Sequence, residues 1–361
     1  MLQYAIYECF KKNYKTNNNT PTPKEPQHKI MKQVLNKLLE HHSLDRQEAK
    51  ETLIELAEGK YNNSQMAAFM TIFMMRSIKT EELAGFREAM LELCVSTDLS
   101  EYDAMDMCGT GGDGKDTFNI STLSTFVVAG AGQNVTKHGN NGVSSICGSS
   151  NLLAQFGFKF TNDIEKLKTS LDKSGLCFLH APLFHPAMKN VAPVRGELGL
   201  KTFFNMLGPI VNPSRPKKQL TGVYSLELAR LYHYLLQPEA IDFAIVHSLD
   251  GYDEISLTGD FKLIDRKGDQ ILSPHDLGLK KHTQESLFAG NTIEDSAKIF
   301  LSVLENKATQ AQKEVTLANA GLALYCAKKL DKVEEGVSLA REALESGKAL
   351  KSFKNFIDSS N

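Results

Sequence analysis

The sequence feature that most constrains this chain is a glycine-rich run, CGTGGDGKDTFNIST, between Cys108 and Thr122. Glycine buries little apolar surface and loses much backbone entropy on folding, so this run is a poor core segment. A phosphate can approach backbone N–H groups closely where no Cβ intervenes. A helix that begins near Asn119 would direct its first amides at the same point. The run therefore predicts an anion-binding loop.

The flanks of the run support this prediction over a mobile surface loop. Ala104–Cys108 has the pattern of a short strand, and the apolar residues after Thr122 recur with helical spacing. A strand, a glycine-rich turn and a helix form the context that a phosphate site requires. The run matches neither a Walker P-loop nor G-x-G-x-x-G, so it does not identify the phosphate.

Composition narrows the class of protein. The chain has 361 residues, 42% of them hydrophobic and 23% charged, which is typical of a globular protein with a large core. Its net charge of −2 gives no electrostatic reason to bind nucleic acid or an anionic membrane. No apolar run is long enough to span a bilayer, and the six scattered cysteines are typical of reduced thiols. We expect a cytoplasmic protein.

Helical and strand patterns divide the chain. We expect an extension over residues 1–30, disordered or loosely packed, then a helical N-terminal domain over 31–97 and an α/β domain over 98–361. In the helical domain, Ser64 and Thr80 are the expected N-caps of two helices.

From about Met105, short apolar runs alternate with helical stretches, which predicts a mostly parallel central sheet flanked by helices. Three prolines near residue 213 predict a long loop. The expected strands are 133–137, 176–179, 243–246 and 254–257, and the expected later helices are 297–304, 312–328 and 333–346.

Two further segments carry phosphate chemistry. Lys137, in KHGN after a strand-like run, can supply a cation, and Ser144–Ser149 forms a second small-residue turn before a helix. The Lys137 segment alone is more often a solvated loop. Together with the first glycine-rich run, the two segments favour a site for two separated phosphates.

An acidic doublet and one arginine complete the candidate set. Asp253 and Glu254 follow an apolar strand and could hold Mg²⁺, because phosphate-bound Mg²⁺ needs only one or two protein carboxylates. Adjacent acids are otherwise usually solvated. Arg195 lies in a proline- and valine-rich segment, where a planar guanidinium favours pairing with a carboxylate. His180, His185 and His247 have no metal-ligand spacing, and we interpret them as structural.

Taken together, these segments resemble the anthranilate phosphoribosyltransferase family in the same order from about Met31 to the C-terminus. The resemblance implies a small helical domain hinged to a larger α/β domain, a helical segment from about 170–195 joining the helical domain, and a homodimer. The matching segments are GTGGDGKDTFNIST (109–122), KHGN (137–140), CGS (147–149), HPAMKNVAPVRGELGLKTFFNMLGPIVNP (185–213) and VHSLDGYDE (246–254).

The resemblance also implies a reaction and a set of roles. The family transfers the phosphoribosyl group of 5-phosphoribosyl-1-pyrophosphate to the amine of anthranilate, with Mg²⁺, in tryptophan biosynthesis. The implied donor site is Gly109, Gly112, Asp113, Thr117, Asn119, Ser121, Thr122, Lys137, His138, Gly139, Asn140 and Ser149. The implied anthranilate site is Gly109, His138, Asn140 and Arg195, and the implied metal ligands are Ser121, Asp253 and Glu254.

Three positions depart from the family pattern. Asn141 and Lys201 stand where the family commonly has arginine, and Asn151 stands where it commonly has aspartate. We expect each change to remove or weaken a charge near the site. Two other hypotheses are a pyrimidine-nucleoside phosphorylase, which would lack the Asp253–Glu254 metal pair, and a non-enzymatic relative that binds nucleic acid. The near-neutral charge and the intact acidic pair argue against the second.

Overall fold

The computed structural model describes residues 27–142 and 147–360. Most of the expected extension, and residues 144–146 of the small-residue turn at Ser144–Ser149, lie outside these residues. The first helix already begins at Gln27, four residues before the expected start of the folded part near Met31.

The N-terminal part of the fold consists of α1 (Gln27–Leu39), α2 (Arg46–Ala57), α3 (Asn63–Met75) and α4 (Thr80–Leu93).

Both expected N-caps in this part are wrong. Asn62 caps α3, because its side chain accepts the Gln65 N–H at 2.9 Å while the Gln65 side chain accepts the Asn62 N–H. This reciprocal pair satisfies two amides, whereas Ser64 lies exposed in the first turn. At α4 the cap position is Lys79, whose N–H donates to the Glu82 carboxylate at 2.9 Å.

A seven-stranded sheet forms the centre of the rest of the chain, in the order β3-β2-β1-β4-β5-β6-β7. The first five strands are mutually parallel, and β6 and β7 form an antiparallel edge. This confirms the expected mostly parallel sheet. The strands are β1 (Met105–Gly109), β2 (Val135–Gly139), β3 (Leu176–His180), β4 (Lys218–Gly222), β5 (Asp242–Ser248), β6 (Phe261–Asp265) and β7 (Gly268–Leu272).

The expected strand at 254–257 is wrong. This segment is an irregular loop in which Leu257 has a φ of 57°. The Asn319 side chain donates to the Ile255 carbonyl at 2.8 Å and accepts its N–H at 3.0 Å, so a side chain replaces strand pairing. Its apolar side chains, Ile255 and Leu257, are buried and hold the loop against the core. Pro209 itself lies in a short helical turn over Gly208–Ile210, and the expected long loop begins after this turn.

Helices cover both faces of the sheet, as expected. The helices between strands are α5 (Ile120–Gly130), α6 (Ser149–Gln155), α7 (Ile164–Ser174), α8 (Ala181–Phe184), α9 (Ala192–Leu198), α10 (Phe204–Leu207) and α11 (Leu226–Leu236). The C-terminal helices are α12 (Ile293–Leu304), α13 (Gln310–Lys328), α14 (Val333–Glu345) and α15 (Lys348–Ser359).

Strand β5 shows how the two faces are divided. Phe243 and Ile245 pack with the N-terminal helices and α11, while Ala244 and Val246 pack with the C-terminal helices. A strand buried on both faces is typically a continuous apolar run, as residues 243–246 are at the centre of β5. The described helices include none that is long and apolar enough to cross a membrane.

The segment around residue 190 connects the two parts of the fold. Val191 and Val194 belong to the same apolar cluster as the N-terminal helices, and Phe203 stacks on Phe86 with ring centroids 4.6 Å apart. Helix α7 instead packs beside α15, where the Ser352 hydroxyl donates to the Ser174 carbonyl at 2.6 Å. The domain boundaries themselves stay a prediction.

Candidate active site

The topology brings the sequence motifs to one edge of the sheet. Strands β1, β2, β4 and β5 are parallel, so their carboxyl ends meet at this edge. The chain order reverses between β1 and β4, and ligands in such sheets bind outside the strand ends at that reversal. The glycine-rich loop follows β1, KHGN ends β2, and the acidic doublet follows β5.

Glycine at the strand ends lets the acidic loop lie across the sheet edge. A Cβ on Gly222 would overlap the Asp253 carbonyl oxygen, and one on Gly109 would lie 2.5 Å from Asp253 Oδ2. A larger residue at the end of β4 would therefore have to displace the backbone of the acidic loop.

The acidic doublet is held by backbone amides of the glycine-rich loop and of α5. Asp253 Oδ2 accepts the Gly111 N–H at 2.6 Å, and Glu254 Oε1 accepts the Ser121 N–H at 2.8 Å. Two of the amides near the expected anion cradle thus bind protein carboxylates. This arrangement fixes both acids at the mouth of the loop.

Burial and mutual repulsion shift these acids towards their protonated forms. Burial, reinforced by the neighbouring Asp113 carboxylate, raises the pKa of Asp253 to about 7. Burial and the nearby Asp253 raise the pKa of Glu254, and burial raises that of Asp113. A bound cation would relieve this repulsion.

The acidic pair fits a metal that arrives with phosphate. In residues 27–142 and 147–360, no group of three His, Cys, Asp or Glu side chains forms a preassembled metal site. Mg²⁺ bound through substrate phosphates needs only one or two carboxylates. Asp253 and Glu254 therefore suit a magnesium–phosphate complex better than a free resident metal.

Lys137 and His138 lie at the end of β2, and both are buried. The Lys137 ammonium donates to the Met107 carbonyl at 2.5 Å and lies 3.4 Å from the Ser121 hydroxyl. His138 Nδ1 lies 2.9 Å from the Gly208 carbonyl, and burial lowers the pKa of His138 to about 3. His138 is therefore neutral at physiological pH.

A buried carboxylate, Asp106, lies next to His138, and the sequence analysis did not predict it. Asp106 accepts the His138 N–H at 3.1 Å, and burial raises its pKa to about 6. Its position in an apolar strand gave no signal of a role at the site.

The KHGN segment is tied to the start of α6. The Asn140 carbonyl accepts the Ser149 hydroxyl and the Ser150 N–H, each at 3.1 Å. Asn151 Oδ1 accepts the Gly142 and Gly148 N–H groups at 2.9 and 3.1 Å. The uncharged amide at 151 thus closes the turn through hydrogen bonds, so this departure is structurally accommodated.

Arg195 lies on α9, half-buried, with its guanidinium carbon 5.2 Å from the centre of the Phe204 ring. Burial lowers its pKa. Among the described residues, no carboxylate oxygen lies within 4.0 Å of this guanidinium. A half-buried guanidinium beside an aromatic ring is suited to a planar ligand that carries a carboxylate.

These groups line one cavity of about 410 Å³. Sequence reasoning did not assign Lys115, Phe204 or Asn205, which also line it. A polar Asn205 within the apolar run FFNML was a usable signal. Every residue that the sequence assigned to the site lines the cavity: Gly109, Gly112, Asp113, Thr117, Asn119, Ser121, Thr122, Lys137, His138, Gly139, Asn140, Ser149, Arg195, Asp253 and Glu254.

Lys201 lies outside the lining of this cavity, and so do the histidines His180 and His247. The Lys201 ammonium donates to the Gly112 carbonyl at 2.5 Å, so it connects the glycine-rich loop to the segment before α10. His247 Nδ1 lies 2.8 Å from the Val223 carbonyl, and His180 Nδ1 lies 2.9 Å from the Ser150 hydroxyl.

Comparisons with known proteins agree with this architecture. The helical bundle domain of the glycosyl transferase family matches residues 32–94, and its α/β domain matches residues 101–350. The anthranilate phosphoribosyltransferase of Cytophaga hutchinsonii is 56% identical over 327 residues, which cover 91% of this chain and 100% of that protein.

Solved structures give the same result. The enzyme of that name from Thermus thermophilus superimposes with a TM-score of 0.84 at 33% identity, over 90% of this chain and 98% of that one. The Saccharomyces cerevisiae enzyme, solved in complex with PRPP (phosphoribosyl pyrophosphate) and Mg, has a TM-score of 0.85 at 28% identity, over 92% and 98% of the two chains. On the strength of fold, site and sequence, this chain belongs to the anthranilate phosphoribosyltransferase family.

Proposed function

We propose that this enzyme transfers the phosphoribosyl group of phosphoribosyl pyrophosphate to the amine of anthranilate, in a magnesium-dependent reaction. The products are N-(5-phosphoribosyl)anthranilate and pyrophosphate. The observation that carries the proposal is the single cavity in which the glycine-rich loop, the acidic doublet and Arg195 meet. Each of these three features suits a different part of the two substrates.

The donor is assigned to the glycine-rich loop and the end of β2. Small residues allow close backbone approach to phosphate, and the N-terminus of α5 adds partial positive charge. Asn119 donates to the Cys147 carbonyl at 2.8 Å, which leaves its amide oxygen available to a sugar hydroxyl. The residues proposed for donor binding are Gly109, Gly112, Asp113, Thr117, Asn119, Ser121, Thr122, Lys137, His138, Gly139, Asn140 and Ser149.

The metal is assigned to Ser121, Asp253 and Glu254. When bound, Mg²⁺ supplies positive charge that stabilises pyrophosphate as a leaving group. The chain itself holds both carboxylates in place through the Gly111 and Ser121 amides.

The acceptor is assigned to Arg195, with Gly109, His138 and Asn140 nearby. The anthranilate nitrogen forms a bond to the ribose anomeric carbon, the carbon–oxygen bond to pyrophosphate breaks, and the amine releases a proton. The reaction passes through an oxocarbenium-like transition state. His138 is neutral and buried, so the residues mainly orient the two substrates and stabilise charge.

The experiment is a fluorescence assay on purified protein. With phosphoribosyl pyrophosphate, Mg²⁺ and anthranilate, we expect the anthranilate fluorescence to be consumed, and omission of Mg²⁺ should stop the reaction. A parallel reaction with inorganic phosphate and a pyrimidine nucleoside tests the phosphorylase alternative. Unchanged anthranilate fluorescence in the complete mixture would reject the proposed function.

The metal assignment has its own test. In the double variant Asp253→Asn with Glu254→Gln, the Kd for Mg²⁺ in the presence of pyrophosphate should rise by at least about tenfold. Titration calorimetry measures this Kd. Binding equal to that of the unmodified protein would remove the pair from the metal site.

The cellular setting follows from the proposed reaction. We propose that the enzyme catalyses the second step of tryptophan synthesis from chorismate, in the cytoplasm, as a homodimer that needs no nucleic acid or membrane. The described cysteines are all free thiols, which is consistent with a reducing compartment.

A further inference from the structure

Lys115 is a cation of the cavity whose role the assignments above leave open. Lys137 donates inward to the Met107 carbonyl, and the Arg195 guanidinium faces the Phe204 ring. Lys115 lies half-buried on the glycine-rich loop itself and lines the cavity. Of these three cations, Lys115 is the one that lies on the glycine-rich loop.

The Lys115 side chain extends from the glycine-rich loop to the acidic loop. Its ammonium lies 4.6 Å from the centre of the Tyr252 ring, and Tyr252 directly precedes the acidic doublet. Its Cε would lie 3.9 Å from a Cβ on Gly251, and its backbone N–H donates to Asp113 Oδ1 at 3.0 Å. The ring of the buried Tyr252 therefore holds the ammonium near the start of the acidic loop.

The excess of negative charge in the cavity favours a cation at this position. Asp113, Asp253 and Glu254 already repel one another, and a diphosphate group adds further negative charge. In the described part of the chain, no carboxylate oxygen comes within 4.0 Å of the Lys115 ammonium. Its donors are therefore not committed to a protein carboxylate, and an ammonium is a good phosphate ligand.

We propose that Lys115 is a binding residue for the pyrophosphate group of the donor and for the released pyrophosphate. This inference rests on the proposed function, because it assigns a ligand to the same cavity. The Tyr252 ring keeps the ammonium at the mouth in the absence of substrate, and the phosphate oxygens then receive its hydrogen bonds.

The test measures binding of inorganic pyrophosphate with Mg²⁺ by titration calorimetry, and so does not depend on turnover. Lys115→Met should raise the Kd for pyrophosphate about five- to twentyfold, and Lys115→Arg should restore most of the affinity. Lys298→Met, at an exposed position on α12, is the matched control and should bind like the unmodified protein. The KM for the donor should rise in parallel, with the KM for anthranilate unchanged.

Pyrophosphate binding by Lys115→Met within twofold of the unmodified protein would overturn the proposal. Lower thermal stability without weaker pyrophosphate binding would do the same, because it would show a purely structural role. Lys115→Gln provides a second variant if the methionine variant does not fold. Absent anthranilate turnover in the unmodified protein would instead count against the proposed function alone.

Discussion

At the scale of single residues, Gly222 sets the distance between the acidic loop and the sheet. A Cβ there would overlap backbone rather than a flexible side chain, so the loop has to move. We expect Gly222→Ala to lower the free energy of unfolding by about 2 kcal/mol or more and to reduce magnesium-dependent turnover.

Gly196 provides the matched control for this substitution. It lies in α9, exposed, with nothing within 4 Å of an added Cβ. Gly196→Ala should leave stability unchanged or raise it by about 0.5–1 kcal/mol, because alanine favours helix. Urea denaturation measures both variants, and equal effects would contradict the proposed role of Gly222.

Arg195 is the residue on which acceptor recognition depends. Because hydrogen bonds between charged groups contribute about 1.5–3 kcal/mol, Arg195→Ala should raise the KM for anthranilate about ten- to a hundredfold. The KM for the donor should change by less than about twofold. Arg195→Lys keeps the charge without the planar fork and should give an intermediate value. Steady-state kinetics with each substrate varied in turn would show whether both constants rise together, which would argue against this assignment.

At the scale of secondary-structure elements, the start of α3 tests which residue is the N-cap. Asn62→Ala should destabilise the protein by about 1 kcal/mol, because the Gln65 N–H loses its acceptor. Ser64→Ala removes a hydroxyl from an exposed first-turn position. It should change the free energy of unfolding by only a few tenths of the effect of Asn62→Ala. Thermal unfolding of the pair decides between them, and a larger effect at Ser64 would restore the cap expected from sequence.

The elements also show what local sequence rules miss. Strand β7 has exposed side chains and β4 contains Lys218 and Gln219, so neither has the apolar run that predicts a strand. Pairing with a neighbouring strand makes each of them part of the sheet. Conversely, the apolar run at 254–257 anchors a loop because Asn319, from α13, bonds its backbone. For β4 and the 254–257 loop, partners distant in sequence decide the local conformation, whereas β7 depends on the other strand of its own hairpin.

At the scale of the whole molecule, buried neutral histidines tie stability to pH. Burial lowers the pKa of His185 to about 4 and that of His138 to about 3, from about 6.5 in an unfolded chain. Between these values the unfolded chain binds more protons, so stability is full above pH 6.5 and falls as the pH drops towards 4.

His185→Phe should therefore flatten this acid limb. We expect the variant to lose less stability than the unmodified protein between pH 6.5 and 4, by up to about 3 kcal/mol. Urea denaturation at a series of pH values measures the difference. Parallel curves for the two proteins would show that His185 does not contribute.

The proposed homodimer is also a property of the whole molecule. Met75, at the end of α3, and Leu39, at the end of α1, are 83% and 65% exposed in the single chain and so are available to a partner. If the helical part forms the interface, Met75→Lys should shift the protein towards monomer in sedimentation experiments. Leu226→Lys, at a 52% exposed position on α11, is the control and should leave the assembly unchanged. A monomeric unmodified protein would reject the homodimer.

The residues that line the cavity were predictable as a group because their chemistry is local. The glycines at 109–114, Lys137 and the acidic doublet each follow a strand, and parallel strands bring their carboxyl ends to one edge. Asp106 and Lys115 were not predicted, because their significance lies in contacts with His138 and Tyr252 from other strands and loops.

The sequence by itself determined the alternation of strands and helices, the glycine-rich loop and the side chains of the cavity, since these depend on periodicity and on residue chemistry. The tertiary structure alone decided that Asp253 and Glu254 accept the Gly111 and Ser121 amides, and that Phe203 packs among the N-terminal helices. Those contacts join residues more than a hundred positions apart. Their geometry follows from how the sheet and helices pack, which no local pattern of residues contains.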